Sequence, residues 1–543
     1  MFTNKLLKKR NSIPTLNENN KKIFDTKEKG EIFKNHFFKT FQGTDTAPNQ
    51  LHNHIINLVN SPNYNIPHKI KYINPREIKQ IIKNPPNKKA PGHDNINTPI
   101  LKNLANSTIA YINNIFNSIL RTGHYPISWK HALIIPVAKP NKQLNIASNY
   151  RPISLLPTLA KILDKLILKR LKCHIHKTKT IPLHQFGFQD KLSTVHQLLR
   201  LTNNIQNTFQ NKSHTLAVFL DNTQAFDRTW HLGILYKLKE IGTPTYLYNI
   251  IKTFLNNRTF AVKINNSITN PAQIKAGVPQ GSPLSPTLYN IFISDLPTNA
   301  CNQIAQFADD TVIFTTHNSL TIAHDNIQSH LHQINNWANT WKINFNPTKS
   351  IAKIFTLKHF TNPPPLKLSN SDIPWAPQNS PVKYLGLYLD TRLTWTEHVK
   401  RKIQQAINKI HQLKPLINRH KTLSLENSIL LYKTIIRPIL LYACPVWLTT
   451  SKTNINKIQI TQNKYLRIIT NAPWFLSNNQ LHSELNLNLI ENQIAKITHN
   501  FQTTLLTLTV TKHFNLDFDP THTRIKNRFP TSKYFNILAN IDS

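Results

Sequence analysis

Residues 306–314 read Gln-Phe-Ala-Asp-Asp-Thr-Val-Ile-Phe and place two adjacent carboxylates, Asp309 and Asp310, between short apolar runs. Each run is too short for a helix and is rich in branched and aromatic residues, so the stretch predicts a tight β-hairpin with the acids at its turn. Two carboxylates held side by side repel each other unless a cation lies between them, and hard divalent ions take carboxylate oxygens as ligands. For an isolated Asp-Asp pair an ordinary surface turn is the alternative.

A third carboxylate follows a strongly apolar run. Residues 216–220 are all apolar, and Asp221 comes directly after them, with Phe226 five residues further on. A short apolar run bounded by polar residues predicts a buried strand that delivers Asp221 at its end. Beside the acidic hairpin, Asp221 would complete a three-carboxylate site for two Mg²⁺ ions, one activating an attacking oxygen and one stabilising the leaving oxygen.

A loop rich in glycine and proline provides the next candidate site. Residues 277–286 read Gly-Val-Pro-Gln-Gly-Ser-Pro-Leu-Ser-Pro and contain two of the chain's ten glycines. Gly281 permits close backbone approach, and the amide of Gln280 offers both a donor and an acceptor to a base or sugar. A helix is expected to follow over Thr287–Leu296. A rigid loop that caps this helix and binds nothing is the alternative.

Two cations are predicted at strand ends. Residues 132–137 form an apolar run that predicts a buried strand, and Lys139 follows it; Arg151 lies at the start of the next element. Their ammonium and guanidinium groups could bind a triphosphate. The alternative is that both side chains are simply solvated.

The composition limits the class of protein. The 543 residues carry 66 Lys and Arg against 25 Asp and Glu, a formal net charge of +41. Such an excess indicates a polyanionic partner, usually nucleic acid, although an AT-rich coding bias would explain part of it. Three distant cysteines exclude a zinc knuckle or disulfide framework. Without a secretory signal or an uninterrupted apolar run of 18 residues, the sequence predicts an intracellular protein that does not span a membrane.

The C-terminal half is predicted to be largely helical. Thr394 and Glu397 have the spacing of a capping box, ahead of a helix that buries Val399 and Ile410 and carries several lysines and arginines. Its basic face suits a duplex-gripping role, and an ordinary solvated face is the alternative. Residues 421–510 show helical periodicity.

The order of these motifs resembles that in the reverse transcriptases of non-LTR retrotransposons, most of all those of the jockey group of arthropod elements. The resemblance covers roughly residues 30–500. It rests on Lys139-Pro140, Tyr150–Ser154, Gln185–Phe188, Asp221–Asp227, Gly277–Pro286, Phe307–Asp310 and Tyr384–Gly386, with further support from Arg437-Pro438, Tyr442–Trp447 and Asn471–Trp474.

The resemblance implies an α+β right-hand polymerase, with fingers, a palm built on an antiparallel sheet, and a thumb. Along the chain we expect a polar, basic lead-in over residues 1–75 and fingers and palm over 76–390. A thumb with a helical C-terminal region would follow over 391–510, and a weakly structured tail over 511–543. Because relatives carry an endonuclease ahead of the polymerase and 75 residues cannot hold one, a truncated reading frame or a nicking activity supplied elsewhere is expected.

The resemblance also implies the chemistry. Asp221, Asp309 and Asp310 match the acids that bind two Mg²⁺ ions, with Mn²⁺ as the alternative ion, and Lys349 matches a candidate proton donor to pyrophosphate. The expected reaction joins a dNTP to a primer 3′-hydroxyl, with metals and cations stabilising the transferring phosphoryl group. The expected partners are an RNA template, a DNA primer or target, and dNTPs; the sequence leaves the oligomeric state open.

The substrate-binding residues are assigned by the same resemblance. Phe226 matches the bulky residue that rejects the ribonucleotide 2′-hydroxyl, and Arg151 matches a finger residue that meets the triphosphate, with Lys139 near it. Gln280 and Gly281 match the loop beside the nascent base pair. Two alternatives to an active reverse transcriptase stay open: a decayed element fragment that only binds RNA, and an RNA-templated RNA polymerase.

Overall fold

The structure is a computed structural model that describes residues 13–18, 21–43, 50–61, 66, 68–84, 86, 90–140, 142–417 and 423–507. Within these residues the strands are β1 (Leu16–Glu18), β2 (Lys21–Ile23), β3 (His131–Ala138), β4 (Tyr150–Leu155), β5 (His214–Leu220), β6 (Arg258–Ile264), β7 (Ser267–Ile268), β8 (Ala272–Ile274), β9 (Gln303–Phe307), β10 (Asp310–His317), β11 (Ile351–Phe355), β12 (Leu366–Leu368), β13 (Ser371–Ile373), β14 (Val382–Tyr384) and β15 (Leu387–Leu389). The tail predicted over 511–543 lies outside the described residues, as does part of the predicted lead-in.

The α-helices of the same residues outnumber the strands. They are α1 (Thr26–Phe41), α2 (Gln50–Asn60), α3 (Pro75–Lys83), α4 (Thr98–Lys102), α5 (Asn106–Thr122), α6 (Thr158–Thr178), α7 (Thr194–Gln210), α8 (Ala225–Arg228), α9 (His231–Glu240), α10 (Thr245–Leu255), α11 (Ser285–Phe292), α12 (Leu320–Trp341), α13 (Thr396–Ile417), α14 (Leu425–Leu431), α15 (Arg437–Leu440), α16 (Cys444–Trp447), α17 (Lys452–Thr470), α18 (Asn478–Glu484) and α19 (Ile490–Leu506). The mixture of helix and sheet confirms the predicted α+β class.

The chain divides into two compact units, each drawn from three stretches of sequence. The first unit comprises Met1–Pro182, Asn222–Pro297 and Ile334–Phe345, and the second comprises Leu183–Asp221, Thr298–Gln333 and Asn346–Ser543.

The second unit is built on a four-stranded antiparallel sheet in the order β11-β5-β10-β9. All seven residues of β5 are buried, which explains why this central strand reads as a continuous apolar run. Strands β9 and β10 form the predicted hairpin: Asp310 pairs with Phe307, which leaves Ala308 and Asp309 as its two-residue turn. Ala308 takes a left-handed conformation there, with φ of +59°.

Several helices of the second unit pack into one large apolar core with this sheet, and the core includes the fully buried Trp395 and Trp447. The predicted helices over residues 421–510 are confirmed within the described part of the chain. The capping box predicted from Thr394 is wrong. Two backbone N–H groups at the start of α13 donate instead to the carboxylate of Asp390, and Glu397 accepts from Arg401 at 2.8 Å.

The first unit contains a five-stranded mixed sheet in the order β4-β3-β6-β7, with β8 also paired to β6. Strand β3 runs antiparallel to β4 and parallel to β6. Helix α1 packs on this sheet through Phe33, Phe37 and Phe41, and Phe41 contacts Phe260 of β6 edge-on. Residues 98–122 of this unit form two helices, α4 and α5, because Asn103 ends the first of them.

No helix in the described part of the chain is both long enough and apolar enough to cross a membrane.

Candidate active site

The acidic hairpin lies beside the end of β5 in the second unit. In the register of β10 and β5, Thr311 pairs with Leu220, so the next step along each strand places Asp310 opposite Asp221. Asp309 precedes Asp310 in the turn. The antiparallel pairing therefore gathers all three predicted acids at one end of the sheet, although they lie almost ninety residues apart in sequence.

Electrostatics link these three acids. Desolvation by the surrounding protein raises the pKa of Asp310 to about 6, and the negative charges of Asp309 and Asp221 raise it in the same direction, while Lys383 opposes them. By surface area, the side chain of Asp310 is nevertheless exposed, so an ion from solvent can reach it. Repulsion from Asp309 and Asp221 therefore accounts for part of the rise in the pKa of Asp310, and a bound cation would lower that pKa again.

The donor chemistry of this sheet end suits a hard divalent ion, since carboxylate oxygens are the ligands that Mg²⁺ prefers. Within the described residues, however, no group of three or more His, Cys, Asp or Glu side chains meets the geometry of a metal site. Asp221, Asp309 and Asp310 are thus neighbours at one sheet end rather than a formed three-ligand cage.

The segment before α7 supports the acidic turn. The Oε1 atom of Gln185 accepts hydrogen bonds from the backbone N–H groups of Ala308 at 2.9 Å and Gly187 at 2.8 Å, and its Nε2 donates to the Ala308 carbonyl at 3.3 Å. A Cβ atom on Gly187 would lie 2.2 Å from the Ala308 nitrogen, so only glycine fits against this turn. Gln185 and Gly187 thus fix the backbone that carries Asp309.

Lys349 belongs to a turn that is bound to Asp221. The backbone N–H of Asn346 donates to the carbonyl of Asp221 at 2.9 Å, and Ser350 Oγ accepts from the Asp221 N–H at 3.1 Å. Lys349 lies between these two contacts, is exposed, and donates its own N–H to Asn346 Oδ1 at 3.2 Å. The second unit therefore brings Lys349 to the strand end that carries Asp221.

The first unit holds the predicted cations near a buried acid, Asp227. Arg151, in β4, is exposed, and the ammonium of Lys139 donates to the Ser148 carbonyl at 2.9 Å. Burial raises the pKa of Asp227 to about 7; a hydrogen bond from Gln280 and the charges of Lys139, Arg151 and Arg228 act in the opposite direction. These cations therefore lie close enough to Asp227 to influence its ionisation.

The predicted loop at Gln280 is clamped on two sides. The carbonyl of Gln280 accepts a hydrogen bond from the backbone N–H of Ser154 at 2.9 Å, and the side-chain amide of Gln280 donates one to Asp227 Oδ1 at 2.8 Å. A Cβ on Gly281 would lie 2.2 Å from the carbonyl oxygen of Ser154 in β4. Gly281 therefore allows the close backbone approach that the sequence predicted, and Asp227 holds the Gln280 side chain.

Phe226 is also positioned by its neighbours in the first unit. Its ring stacks on that of Tyr289, with centroids 4.6 Å apart and an interplanar angle of 26°. The hydroxyl of Tyr289 accepts from the side-chain amide of Asn222 at 3.1 Å, and the Phe226 carbonyl accepts from Val278 N–H at 2.8 Å. Both its ring and its backbone therefore have defined partners.

Comparison with known proteins identifies the class of domain. Residues 137–389 match the family model described as reverse transcriptase (RNA-dependent DNA polymerase). The chain carries a reverse transcriptase domain. All nine predicted site residues lie inside it, and reverse transcriptases as a class depend on divalent metal ions.

The similarity to mobile-element proteins extends beyond the reverse transcriptase domain. The chain is 36% identical to the "Probable RNA-directed DNA polymerase from transposon BS" of Drosophila melanogaster, over 87% of this chain and 53% of that protein. It is 35% identical to the "RNA-directed DNA polymerase from mobile element jockey" of the same organism, over 87% of this chain and 52% of that protein. The predicted resemblance is confirmed, and the chain spans about half the length of these relatives.

Among solved structures, an apo telomerase of Candida tropicalis truncated from its C-terminal domain covers 53% of this chain and 59% of its own. Its TM-score is 0.35 and its identity 11%, so no conclusion about this chain rests on it.

Sequence reasoning assigned no role to two of the groups just described. Asp227 lay within a recognised motif but gave no sign that it would be buried and paired with Gln280. Gln185 and Gly187 lay within another motif, and only the scarcity of glycine, ten in the chain, indicated that the backbone needs Gly187. Both roles depend on segments that are distant in sequence.

Proposed function

We propose that the chain is an RNA-directed DNA polymerase of a non-LTR mobile element, which adds dNTPs to a primer 3′-hydroxyl on an RNA template. The observation that carries the proposal is the gathering of Asp221, Asp309 and Asp310 at one end of the antiparallel sheet inside a reverse transcriptase domain. The proposed partners are an RNA template, a DNA primer or target, and dNTPs.

In the proposed mechanism, Asp221, Asp309 and Asp310 would hold Mg²⁺, with Mn²⁺ as the alternative. When bound, the two ions supply activation of the attacking hydroxyl and neutralisation of phosphate charge. Lys349, in the turn bound to Asp221, donates a proton to the departing pyrophosphate. The acids position the reacting groups, because phosphoryl transfer requires mainly orientation and electrostatic stabilisation.

Five further residues are proposed to bind the nucleotide and the nascent base pair. Arg151 and Lys139 bind the triphosphate as cations, and Gln280, held by Asp227, contacts the nascent base pair beside Gly281. Phe226, whose ring is stacked on Tyr289, excludes the 2′-hydroxyl of ribonucleotides. We further propose that residues 76–390 form fingers and palm and that 391–510 form the thumb and a helical region.

Primer extension on an RNA template tests this function. Wild type should incorporate dNTPs only with a divalent ion present, and Asp309→Ala should lower the rate on the order of 10³-fold, since lost metal-centred charge stabilisation amounts to several kcal/mol. Asp372→Ala, which removes an exposed carboxylate from β13, is the matched control and should leave the rate unchanged.

The same assay separates the alternatives. If wild type and Asp309→Ala both bind RNA but neither extends a primer, the polymerase proposal fails and the binding-only alternative remains. If wild type uses ribonucleotides as readily as dNTPs, the chain is an RNA-templated RNA polymerase instead.

A further inference from the structure

The loop between α17 and α18 displays two aromatic side chains to solvent. Trp474 is 90% exposed and Phe475 is 72% exposed, and their ring centroids lie 6.0 Å apart at an interplanar angle of 81°. Leaving two neighbouring large apolar rings in water is unfavourable, because the free-energy cost grows with the exposed apolar area. The pair therefore indicates a binding surface rather than a packing element.

The loop that carries the two rings is held in a defined conformation. The guanidinium of Arg467 donates three hydrogen bonds across it, to the Pro473 carbonyl at 3.1 Å, the Leu476 carbonyl at 2.6 Å and Asn478 Oδ1 at 3.2 Å. Ser477 then caps α18. Because the backbone is already ordered, a ligand that covers Trp474 does not have to order the loop on binding.

The stretch of sequence that contains the loop is positively charged. Between Glu426 and Glu484 the sequence contains no acidic residue and six basic ones, Lys433, Arg437, Lys452, Lys457, Lys464 and Arg467. Three of these fall on one side of α17, because positions 457, 464 and 467 lie within about 80° of one another at 100° per residue. A basic stripe of Lys457, Lys464 and Arg467 therefore runs along the helix towards the aromatic pair.

The surroundings favour nucleic acid over protein as the occupant. A protein-docking surface usually joins several apolar side chains into one patch. Apart from Trp474 and Phe475, the exposed large apolar residues described over 440–507 are Ile460 and Leu489, and neither is in the loop. Ile460 lies ten residues before the end of α17, about 15 Å along the helix. Two isolated rings beside a row of cations match the stacking platforms that hold single strands.

We propose that Trp474 and Phe475, with the basic stripe of α17, form a binding site for single-stranded nucleic acid. One or two unpaired bases stack on the rings, and the backbone phosphates contact Lys457 and Lys464. The site lies outside residues 137–389, which match the reverse transcriptase model. It goes beyond the proposed polymerase function, and it stands even if the chain never extends a primer.

Tryptophan fluorescence of the full chain tests the proposal, in EDTA and without dNTPs so that polymerisation has no influence. The difference in emission between wild type and Trp474→Phe reports Trp474 alone. Saturating rU₁₂ or dT₁₂ should quench at least half of this difference, and irradiation should crosslink the oligonucleotide to the peptide containing Trp474. Quenching by either strand supports the site, because stacking is sequence-tolerant.

Titrating the same signal gives the affinity of this site. Phe475→Ala should weaken the affinity for the oligonucleotide roughly 5- to 100-fold, because this is the usual contribution of one base stacked on an aromatic ring. Lys464→Gln should lower the salt slope by about 0.7, the value for one phosphate contact on a single strand. Tyr111→Ala, which removes an aromatic side chain that is 71% exposed elsewhere, should change nothing. Because Trp474 and Phe475 are exposed, these variants are expected to fold.

Trp474 emission that does not respond to saturating rU₁₂ and dT₁₂ would overturn the proposal. So would sedimentation that shows a self-associated chain dispersed by Trp474→Ala, because the rings would then be a contact between copies.

Discussion

Phe226, the residue proposed to determine substrate choice, is fixed in place by its neighbours. Its ring is stacked on Tyr289 at 4.6 Å, and its carbonyl is bound by the loop that begins at Gly277. A ring held in this way cannot move aside at low cost when a larger sugar enters. In the proposed function, the group that it rejects is a single hydroxyl.

Phe226→Ala should therefore admit ribonucleotides. We expect discrimination between dNTP and rNTP, measured as the ratio of kcat/KM values in primer extension, to fall roughly 10- to 200-fold, the range for one apolar contact in a specificity pocket. Tyr289→Phe is the control, since it keeps the stacked ring and loses only the hydroxyl that accepts from Asn222. Unchanged discrimination in Phe226→Ala would contradict the assigned role.

At the scale of elements, the acidic hairpin depends on a segment from another part of the chain. Gln185 forms hydrogen bonds with both backbone groups of Ala308, and Phe186 donates its N–H to the carbonyl of Gln306 in β9 at 2.9 Å. Because Gln185 is buried, its removal leaves the N–H of Ala308 without an acceptor inside the protein. The hairpin and its support therefore behave as one element.

Gln185→Ala should impair both stability and catalysis. Two buried N–H groups lose their acceptor, so we expect a loss of about 2–4 kcal/mol in the free energy of unfolding, measured by urea denaturation. Primer extension should slow as well, because the turn that carries Asp309 is no longer fixed. Gln189→Ala, four residues away, is the matched control and should change stability by less than about 0.5 kcal/mol. If Gln185→Ala and Gln189→Ala have equal effects, Gln185 does not support the turn that carries Asp309.

At the scale of the whole molecule, the strongly basic chain contains a fully buried acid, Asp164 in α6. Its two oxygens accept hydrogen bonds from the Tyr125 hydroxyl at 2.8 Å and from Ser282 Oγ at 2.5 Å. Burial raises the pKa of Asp164 to about 6, although these hydrogen bonds and the charges of Arg258 and Lys161 lower it. Asp164 thus ties α6 to the segment that follows Gln280 and Gly281.

This buried acid makes stability dependent on pH in a defined direction. The folded state holds the proton of Asp164 more tightly than the unfolded state, whose pKa is near 3.8, so the stabilisation is complete below about pH 4 and is lost as pH rises through about 6. Relative to Asp164→Asn, the wild-type free energy of unfolding should fall by about 2–3 kcal/mol between pH 4 and 8.

Parallel urea titrations of the two proteins measure this difference. Burial also raises the pKa of Asp227, and Asp164→Asn leaves Asp227 in place, so its contribution is expected to cancel. The free energy of unfolding of wild type minus that of Asp164→Asn should fall between pH 4 and 8. If this difference stays constant or rises with pH, Asp164 does not titrate as described.

The sequence predicted the strands that carry the three acids correctly, because the relevant signals are local. The hairpin over Gln303–His317 and the strand that ends before Asp221 follow from short apolar runs that adjoin acids. The predicted helix over Thr287–Leu296 instead runs over Ser285–Phe292, and the capping box at Thr394 does not form. Both errors concern helix ends, where an acceptor from elsewhere, such as Asp390, can replace the local one.

The sequence by itself determined the strands that carry the acids and the basic character of the chain, since composition and periodicity are properties of neighbouring residues. The order of its motifs carried the resemblance to reverse transcriptases. Only the tertiary structure decided that Asp310 lies opposite Asp221, that Gln185 supports the acidic turn and that Asp227 holds Gln280. Each of these depends on strand register or on a hydrogen bond between segments far apart in the chain. Such contacts are selected by the packing of the whole fold, which no local pattern encodes.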